Sequence, residues 1–343
     1  MDQATVDHLL EALYQQQSLS QTRSEQLFSA IIQGELEPAQ LAAALTALKI
    51  KGETPEEIAG AAKALTDNAE PFPRPSYPFA DIVGTGGDGA NTINISTTAA
   101  FVAAACGVKV AKHGNRGVSS KSGSSDLLAA FGIDLAMPAE QARAALDTLG
   151  VCFLFAPQYH TGVRHAMPVR QAMKTRTIFN LLGPLINPAK PSIELMGVYD
   201  QALVAPIAQT MQNLNMTRAA VVHGDGLDEV AIHGPTTVAE ITPTQIEHYT
   251  LTPSDFGVSQ YPLDSIAGGI AGGTPEQNRE MIRAILQGKG TDAQQAAVAV
   301  NVALLLRLFG QEDLKANTQQ ALDVMASGKP YTIMQALAQR SAV

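Results

Sequence analysis

The run Phe79-Ala80-Asp81-Ile82-Val83, continuing as Gly84-Thr85-Gly86-Gly87-Asp88-Gly89 and then Asn91-Thr92-Ile93-Asn94-Ile95-Ser96-Thr97, decides how the chain is read. A short apolar segment, a glycine turn and the start of an alanine-rich helix predict a strand ending on a loop whose amides and helix N-terminus face an anion. Taken literally, the loop satisfies G-x-G-x-x-G, the dinucleotide fingerprint. That fingerprint also needs an Asp or Glu about 20 residues further on, to hold the ribose hydroxyls. From Gly89 to Ser125 there is no acidic residue, while Lys109, Lys112, Arg116 and Lys121 are all basic. A Walker A loop fails too, because no Gly-Lys-Ser/Thr follows. A glycine turn alone is an ordinary strand-to-helix connection, and Lys112 or Arg116 alone a solvated charge. Together they point to a phosphate-rich ligand.

Outward from this loop, strand and helix patterns alternate. Strands are expected at Phe79 to Val83, Val108 to Ala111, Val151 to Phe155, Glu194 to Val198, Ala219 to Val222, Val230 to Ile232 and Val238 to Ile241. Helices are expected from Ser96 to Cys106, Gly123 to Phe131 and Pro138 to Leu149, and in two long stretches that close the chain, the first opened by Thr274-Pro275-Glu276-Gln277. Such alternation implies an α/β domain with a mostly parallel central sheet. Residues 1–70 read instead as helices alone. Leu27, Phe28, Ile31 and Ile32 form a helical stripe capped by Gly34, and Thr54-Pro55-Glu56-Glu57 carries an N-cap, a first-turn proline and a reciprocal glutamate. Between the two regions, Pro71, Pro73, Pro75 and Pro78 mark a linker that neither a helix nor a central strand accommodates.

The 343 residues, 45% hydrophobic and 16% charged, suit a large globular domain carrying a smaller one. A formal charge of −9 argues against a nucleic-acid groove or an anionic membrane surface as the partner, so a phosphate ligand needs a local exception. Cys106 and Cys152 stand apart from any Cys/His cluster and read as buried, reduced thiols. The N-terminus lacks a basic region before its apolar residues, and Ala296 to Phe309 is interrupted by Asn301 and Arg307. A cytoplasmic protein is expected.

Gly84-Thr85-Gly86-Gly87-Asp88, Asn94-Ile95-Ser96-Thr97, Lys112-His113-Gly114-Asn115-Arg116, Pro168-Val169-Arg170, Arg176 to Pro188 and Asp228-Glu229 together resemble the anthranilate phosphoribosyltransferases. The match runs in order along essentially the whole chain. It implies a small all-helical N-terminal domain, residues 1–70 with a returning segment at about 166–190, beside a large α/β domain, residues 71–343, of the nucleoside phosphorylase/phosphoribosyltransferase type. It also implies transfer of the phosphoribosyl group of phosphoribosyl pyrophosphate (PRPP) to anthranilate in tryptophan biosynthesis, with two Mg²⁺ ions per site and a homodimer formed through the helical domain.

The resemblance assigns PRPP to Gly84, Gly87, Asp88, Thr92, Asn94, Ile95, Ser96, Thr97, Lys112, His113, Gly114, Asn115, Arg116, Gly117, Val118, Ser119, Ser120 and Ser124. It assigns anthranilate to Gly84, Asn115 and Arg170, and metal to Ser96, Asp228 and Glu229. The chemistry of these types agrees. Amides and hydroxyls stabilise a departing pyrophosphate, a hydrated Mg²⁺ needs only one or two protein carboxylates, and a planar arginine grips a carboxylate. His113 is a candidate proton relay, and His160 and His165 are candidates for lining the aromatic path or steadying a loop. Two alternatives stay open at this point. A pyrimidine nucleoside phosphorylase is suggested by Lys112 to Asp126 but disfavoured by Asp228-Glu229 and Arg170. A nucleic-acid-binding relative is disfavoured by the charge and the absence of Trp.

Overall fold

The structure, a computed structural model, describes residues 3–115, 124–267 and 275–340. Among these, seven strands form one sheet in the order β3-β2-β1-β4-β5-β6-β7: β1 Ala80–Gly84, β2 Val110–Gly114, β3 Val151–Phe155, β4 Ile193–Gly197, β5 Arg218–Gly224, β6 Thr236–Ile241 and β7 Ile246–Leu251. The first five are parallel, and β6 and β7 run antiparallel at one edge. The chain winds outward from β1 through β2 to β3, then crosses back to place β4 on the other side of β1. That reversal between β1 and β4 is a topological switch point, where the connections leave in opposite directions and open a crevice at the strands' carboxyl ends.

The expected strand at Val230 to Ile232 is not one. Its backbone is satisfied by side chains rather than by a neighbouring strand: Val230 N–H donates to Asn301 Oδ1 (2.9 Å), Asn301 Nδ2 donates to the Val230 carbonyl (3.2 Å), and Ala231 N–H donates to Thr236 Oγ1 (2.9 Å). β7, with its half-exposed alternation of Ile246, Glu247, His248 and Tyr249, was not expected. Cys152 is buried as anticipated, whereas Cys106, at the end of the helix Ile95–Ala105, is partly exposed; both are free thiols. Of the start signal at 274–277, Thr274 lies outside the described residues, and the helix runs Pro275–Leu286.

Four helices, Gln3–Tyr14, Gln21–Gln33, Pro38–Lys51 and Pro55–Asp67, form the N-terminal bundle. The capping box is present: Thr54 Oγ1 accepts from Glu57 N–H (3.3 Å) and Glu57 Oε2 from Thr54 N–H (2.9 Å). Glu57 is buried and also takes Lys51 Nζ at 2.8 Å and Leu19 N–H at 2.8 Å, so one carboxylate fastens three segments of the bundle. Residues 161–185 return to this bundle. Thr161–His165 packs on Gln21–Gln33, Met167–Met173 on Pro38–Lys51 and Phe179–Leu185 on Pro55–Asp67, with the Phe28 and Phe179 rings 5.7 Å apart.

One apolar cluster joins the bundle, the helix Val204–Asn213 and the sheet face bearing Met196, Val198, Ala219 and Val221. The opposite face, with Ile82, Leu195, Ala220 and Val222, is covered by Ile95–Ala105, Asp292–Leu308 and the helices that follow. The sheet is therefore a two-sided core, and its carboxyl edge is where polar groups reach solvent. Asp81 on β1 and Glu194 on β4 are an exception within the core. They are register partners, 0% and 1% exposed. Asp81 accepts from Asn187 Nδ2 (2.8 Å) and from the His113 amide, and burial pushes it up to about 6 against the pull of Lys112. Glu194 Oε1 has no hydrogen-bond partner among the described residues. Burial, with the Asp81 charge beside it, raises Glu194 well above the ordinary glutamate range.

A raised folded-state pKa gives stability that is fully present below the unfolded value, about 4.3 for glutamate, and is lost as pH rises toward the folded value, by up to about 1.4 kcal/mol per pH unit. Glu194→Gln keeps the shape without the ionisation. Its unfolding midpoint in urea is expected to match the wild type near pH 4 and to exceed it increasingly up to pH 8. A constant offset at every pH would mean that Glu194 is neutral for some other reason.

Candidate active site

The crevice at the switch point is shaped by two glycines. Gly84 and Gly197 end β1 and β4 and are register partners. A Cβ on Gly84 would run into the Asp228 carboxylate, and a Cβ on Gly197 into the Asp228 backbone carbonyl. Only a pair of residues without side chains leaves room for Asp228 to lie across both strand ends. The turn after β5 delivers it there. His223 donates through Nδ1 to the Val198 carbonyl (2.8 Å), which leaves Nε2 to accept Gly226 N–H (3.1 Å). Gly224 and Leu227 exchange both backbone hydrogen bonds, at 2.9 and 3.0 Å, with Asp225 and Gly226 at positive φ between them.

Asp228 and Glu229 bind the elements that the sequence assigns to phosphate. Asp228 Oδ2 accepts Gly86 N–H (2.6 Å), and Glu229 Oε1 accepts Ser96 N–H (3.1 Å) at the first turn of Ile95–Ala105. Each carboxylate thus occupies a donor that an anion would otherwise use. Asp88, whose Oδ1 accepts Ala90 N–H at 3.1 Å, adds a third negative charge. Burial first, then the Asp88 charge, pushes Asp228 up to about 7. Burial first, then Asp228, pushes Glu229 up to about 8. Lys112 is the counter-charge beneath them, 4% exposed, with Nζ 2.5 Å from the Ile82 carbonyl and 3.3 Å from Ser96 Oγ. Burial lowers its pKa, opposed by Asp81, Glu229 and Asp228.

Crowded carboxylates beside one buried ammonium form a place short of positive charge. The residues therefore fit a hydrated divalent cation held by Asp228, Glu229 and the Ser96 hydroxyl. No group of three or more His, Cys, Asp or Glu among the described residues is arranged to enclose a metal. That sparse set suits Mg²⁺, which keeps most of its waters, better than zinc.

The remaining residues singled out from sequence fall into three positions. Gly87, Asp88 and Asn94 lie along the turn and helix start. The Asn94 side chain does not cap the helix; its Oδ1 accepts from Asn278 Nδ2 (2.9 Å). Thr92 bridges Ala267, and both Ile95 and Thr97 are buried, 1% exposed. Gly114 follows His113 at the end of β2, where a Cβ would press on Phe153. Asn115 is exposed, and its carbonyl accepts from Ser124 Oγ (3.3 Å). Arg116, Gly117, Val118, Ser119 and Ser120 lie outside the described residues.

His113 is 2% exposed. Its Nδ1–H donates to the Gly183 carbonyl (3.1 Å), and burial, followed by the neighbouring His160, pulls it down to about 3. The two rings meet edge to face at 5.3 Å, and His160, drawn down to about 4 by burial, contacts the Ile186 carbonyl (2.8 Å). Both are neutral; His113, on β2, fastens the returning segment to the sheet, and His160 ties the start of that segment to its end. His165, which is exposed, lies against Gly34.

Arg170 stands on the other wall, on the helix Met167–Met173. Its guanidinium is 4.8 Å from the centroid of the Phe179 ring, and Nη1 approaches Met167 Sδ at 3.7 Å. Burial lowers its pKa and no acid opposes that shift, so it is a partly desolvated cation without an acidic partner among the described residues. Sequence inspection missed Gly197 and Tyr199. The first looks like any strand-ending glycine; its signal is the Gly-x-Tyr spacing, which acquires meaning only once β4 is known to lie beside β1.

A helical bundle beside a mostly parallel sheet, with a glycine turn facing buried carboxylates at the switch point, fits a glycosyl-transferring enzyme that takes a phosphate-bearing ligand. Both parts match family models of that kind: the glycosyl transferase family helical bundle domain over residues 7–69 and the glycosyl transferase family a/b domain over residues 76–331. The anthranilate phosphoribosyltransferase of Vibrio cholerae is 74% identical over 332 residues, covering 97% of this chain and 99% of its own. The crystal structure of anthranilate phosphoribosyltransferase from Thermus thermophilus superposes with a TM-score of 0.92 at 38% identity, covering 98% of this chain and 99% of that one. The Saccharomyces cerevisiae enzyme, solved in complex with PRPP and Mg, gives a TM-score of 0.89 at 27% identity over 99% of each chain; it has also been solved with 4-fluoroanthranilate. The chain belongs to the anthranilate phosphoribosyltransferase family.

The charge crowding has a cost in stability. Both carboxyls are raised, so folding is penalised as pH climbs from the ordinary carboxyl range toward their folded values. Asp228→Asn with Glu229→Gln keeps the acceptors for Gly86 and Ser96 while removing both charges. Without divalent cations at pH 8, the double variant is expected to melt a few degrees above the wild type, and at pH 4 the two are expected to coincide. A lower melting point at pH 8 would show that the carboxylate hydrogen bonds outweigh the repulsion.

Proposed function

We propose that the notch formed by Gly84, Gly197 and Asp228 is the donor side, and Arg170 the acceptor side, of a cleft in which the phosphoribosyl group of PRPP passes to the amine of anthranilate. The products are N-(5-phosphoribosyl)anthranilate and pyrophosphate, as in tryptophan biosynthesis. The observation that carries this reading is the pairing of a buried carboxylate cluster on a glycine turn with an unpaired arginine on the segment that returns to the helical bundle.

The chemical difficulty is the leaving group, because departure of pyrophosphate leaves an oxocarbenium-like ribosyl carbon. Amide donors of Gly84, Gly87 and Asp88, the helix start at Asn94 to Thr97, and Lys112 to Ser120 with Ser124 supply the phosphate side in this reading, and Thr92 supports the turn. Asp228, Glu229 and Ser96 are the metal-holding residues, and we propose two ions per site. Bound Mg²⁺ would neutralise the departing pyrophosphate. On holding the cation, Asp228 and Glu229 would give up Gly86 and Ser96 N–H, which would leave those amides free for phosphate. Arg170 and Asn115 orient anthranilate, its carboxylate on the guanidinium and its amine toward the ribose beyond Gly84. The amine becomes acidic as the new C–N bond forms, and we assign no general base.

The division into 1–70 with 166–190 and 71–343 is proposed as the pair of bodies whose closure brings the two sides together. A homodimer through the bundle fits the exposure of Tyr14 and Ile50, 49% and 71%, on two helices that pack together. Among the described residues no helix is long and apolar enough to cross a membrane, and we place the enzyme in the cytoplasm.

The direct test is to mix the protein with PRPP, anthranilate and Mg²⁺ and follow loss of anthranilate fluorescence. Turnover is expected, and phosphorolysis of uridine or thymidine without it would overturn the reading. Asp228→Ala with Glu229→Ala is expected to shift the Mg²⁺ titration of that activity to much higher concentration; an unchanged titration would remove them from the metal site. Arg170→Ala is expected to lower kcat/KM for anthranilate roughly 30-fold or more, since a buried carboxylate loses its charged partner at a cost of about 2 kcal/mol or more. PRPP affinity by calorimetry is expected to stay put. Equal losses toward both substrates would make Arg170 a residue of fold or closure instead.

A further inference from the structure

The turn from Gly84 to Ala90 cannot hold its own shape. Gly86, Gly87 and Gly89 sit at φ of 67°, 81° and 76°, conformations that glycine adopts freely and leaves as freely. Contacts from elsewhere fix it at three points. Gly86 N–H is tied to Asp228. Thr85 donates its N–H to the Gly197 carbonyl (3.0 Å) and accepts Tyr199 N–H on its hydroxyl (3.1 Å). The Gly87 carbonyl accepts from Arg176 Nη2.

The third tie comes from the opposite side of the cleft. Arg176 belongs to the connection between the helices Met167–Met173 and Phe179–Leu185, six positions after Arg170. That connection is anchored on the bundle by Lys49 Nζ of the helix Pro38–Lys51, which donates to Thr175 Oγ1, and is closed locally by Thr177 N–H donating to Asn180 Oδ1 (3.0 Å). Arg176 is exposed and forms no ion pair among the described residues. Its guanidinium carbon lies 3.9 Å from the centroid of the Tyr199 ring, a cation–π contact that fixes an otherwise mobile side chain. Tyr199 follows β4 by two residues and also holds Thr85. Tyr199 therefore supports the turn twice, once through its backbone N–H and once through the arginine stacked on its ring.

We infer that Arg176, held on Tyr199, is a positioning residue for PRPP that sets the orientation of the Gly87–Asp88 peptide. A trans peptide sends its C=O and N–H in opposite directions. Fixing the Gly87 carbonyl on Arg176 therefore directs Asp88 N–H away from the arginine, to serve as a phosphate donor. Flipping that peptide would present a carbonyl to the phosphates in place of a donor. With glycine at position 87, little else opposes the flip. Since Arg176 and Arg170 share one bundle-anchored segment, the same tie links acceptor-side position to donor-side geometry.

This inference rests on the proposed placement of PRPP at the turn, and wild-type turnover of PRPP with anthranilate tests that placement separately. Given turnover, Arg176→Ala is expected to raise both KM for PRPP and its calorimetric Kd about tenfold, the scale of one charge-assisted hydrogen bond in a solvated cleft. KM for anthranilate and the melting temperature are expected to move little. Tyr199→Leu is expected to reproduce most of the PRPP effect, and the double variant to be no worse than Arg176→Ala, because both break one unit. Arg176→Lys is expected to resemble Ala, since a flexible ammonium lacks the planar face that lies on the Tyr199 ring and so is not held at the Gly87 carbonyl. Recovery of PRPP affinity by Lys would mean that the charge meets the phosphates directly and would overturn the positioning role. Additive losses in the double variant, or an unchanged PRPP KM in Arg176→Ala, would overturn it equally. If Tyr199→Leu does not fold, the Lys and Ala comparison decides alone.

Discussion

The seat of Asp228 on Gly84 and Gly197 is the constraint on which the rest of the site depends. Two strand ends can present a residue between them only if neither carries a side chain there, and the parallel register of β1 and β4 brings the two glycines side by side. From that seat Asp228 reaches Gly86 N–H, and Glu229 reaches Ser96 N–H, so one dipeptide ties the glycine turn to the helix that follows it. Side chains at either glycine would displace the loop after β5 and with it the whole charged cluster. The null space of two missing methyl groups thus fixes the electrostatics of the crevice.

Electrostatics explains how a protein of net charge −9 can accommodate a phosphate-rich substrate. The donors are largely uncharged amides and hydroxyls, and the cation central to the site, Lys112, is buried under the carboxylates rather than displayed to solvent. The carboxylates accept the Gly86 and Ser96 amides, and burial raises the pKa of both. Crowding buried carboxyls at one point is a usual cost of a preorganised polar site.

The two walls differ in how they are held. The wall with the glycine turn is built on strand ends and core packing, whereas the wall with Arg170 is a set of short helices fastened to the sheet by His113 to Gly183 and Asn187 to Asp81, and closed on itself by His160 to Ile186. The buried Asp81 and Glu194 pair lies beneath this junction. Neutral imidazoles and raised carboxyls make an interface with few charges to desolvate, which lets it be close-packed although His113 Nε2, His160 Nδ1 and Glu194 Oε1 have no hydrogen-bond partner among the described residues.

Local signals in the sequence specified local structure. The Thr54 to Glu57 capping box, the strand Val151–Phe155 and the helix opened near Ser96 depend on neighbouring residues alone, and they form where the pattern puts them. The glycine turn and the acid-free stretch likewise identified a phosphate ligand, since composition over a few dozen residues carries that information. Val230 to Ile232 has strand-forming residues, but Asn301, some seventy residues away, takes its hydrogen bonds. Ile246–Leu251 is polar enough to read as a loop and becomes a strand because β6 offers an edge. Lys112 looks like a surface charge until the sheet encloses it, and Arg176 like a motif residue until Tyr199 and Gly87 lie beside it. Chain order determined which elements form and what kind of ligand they suit. Strand order and register alone decided that Gly84, Gly197 and Asp228 share one point in space, because contacts between distant segments arise from packing and not from any pattern within a segment.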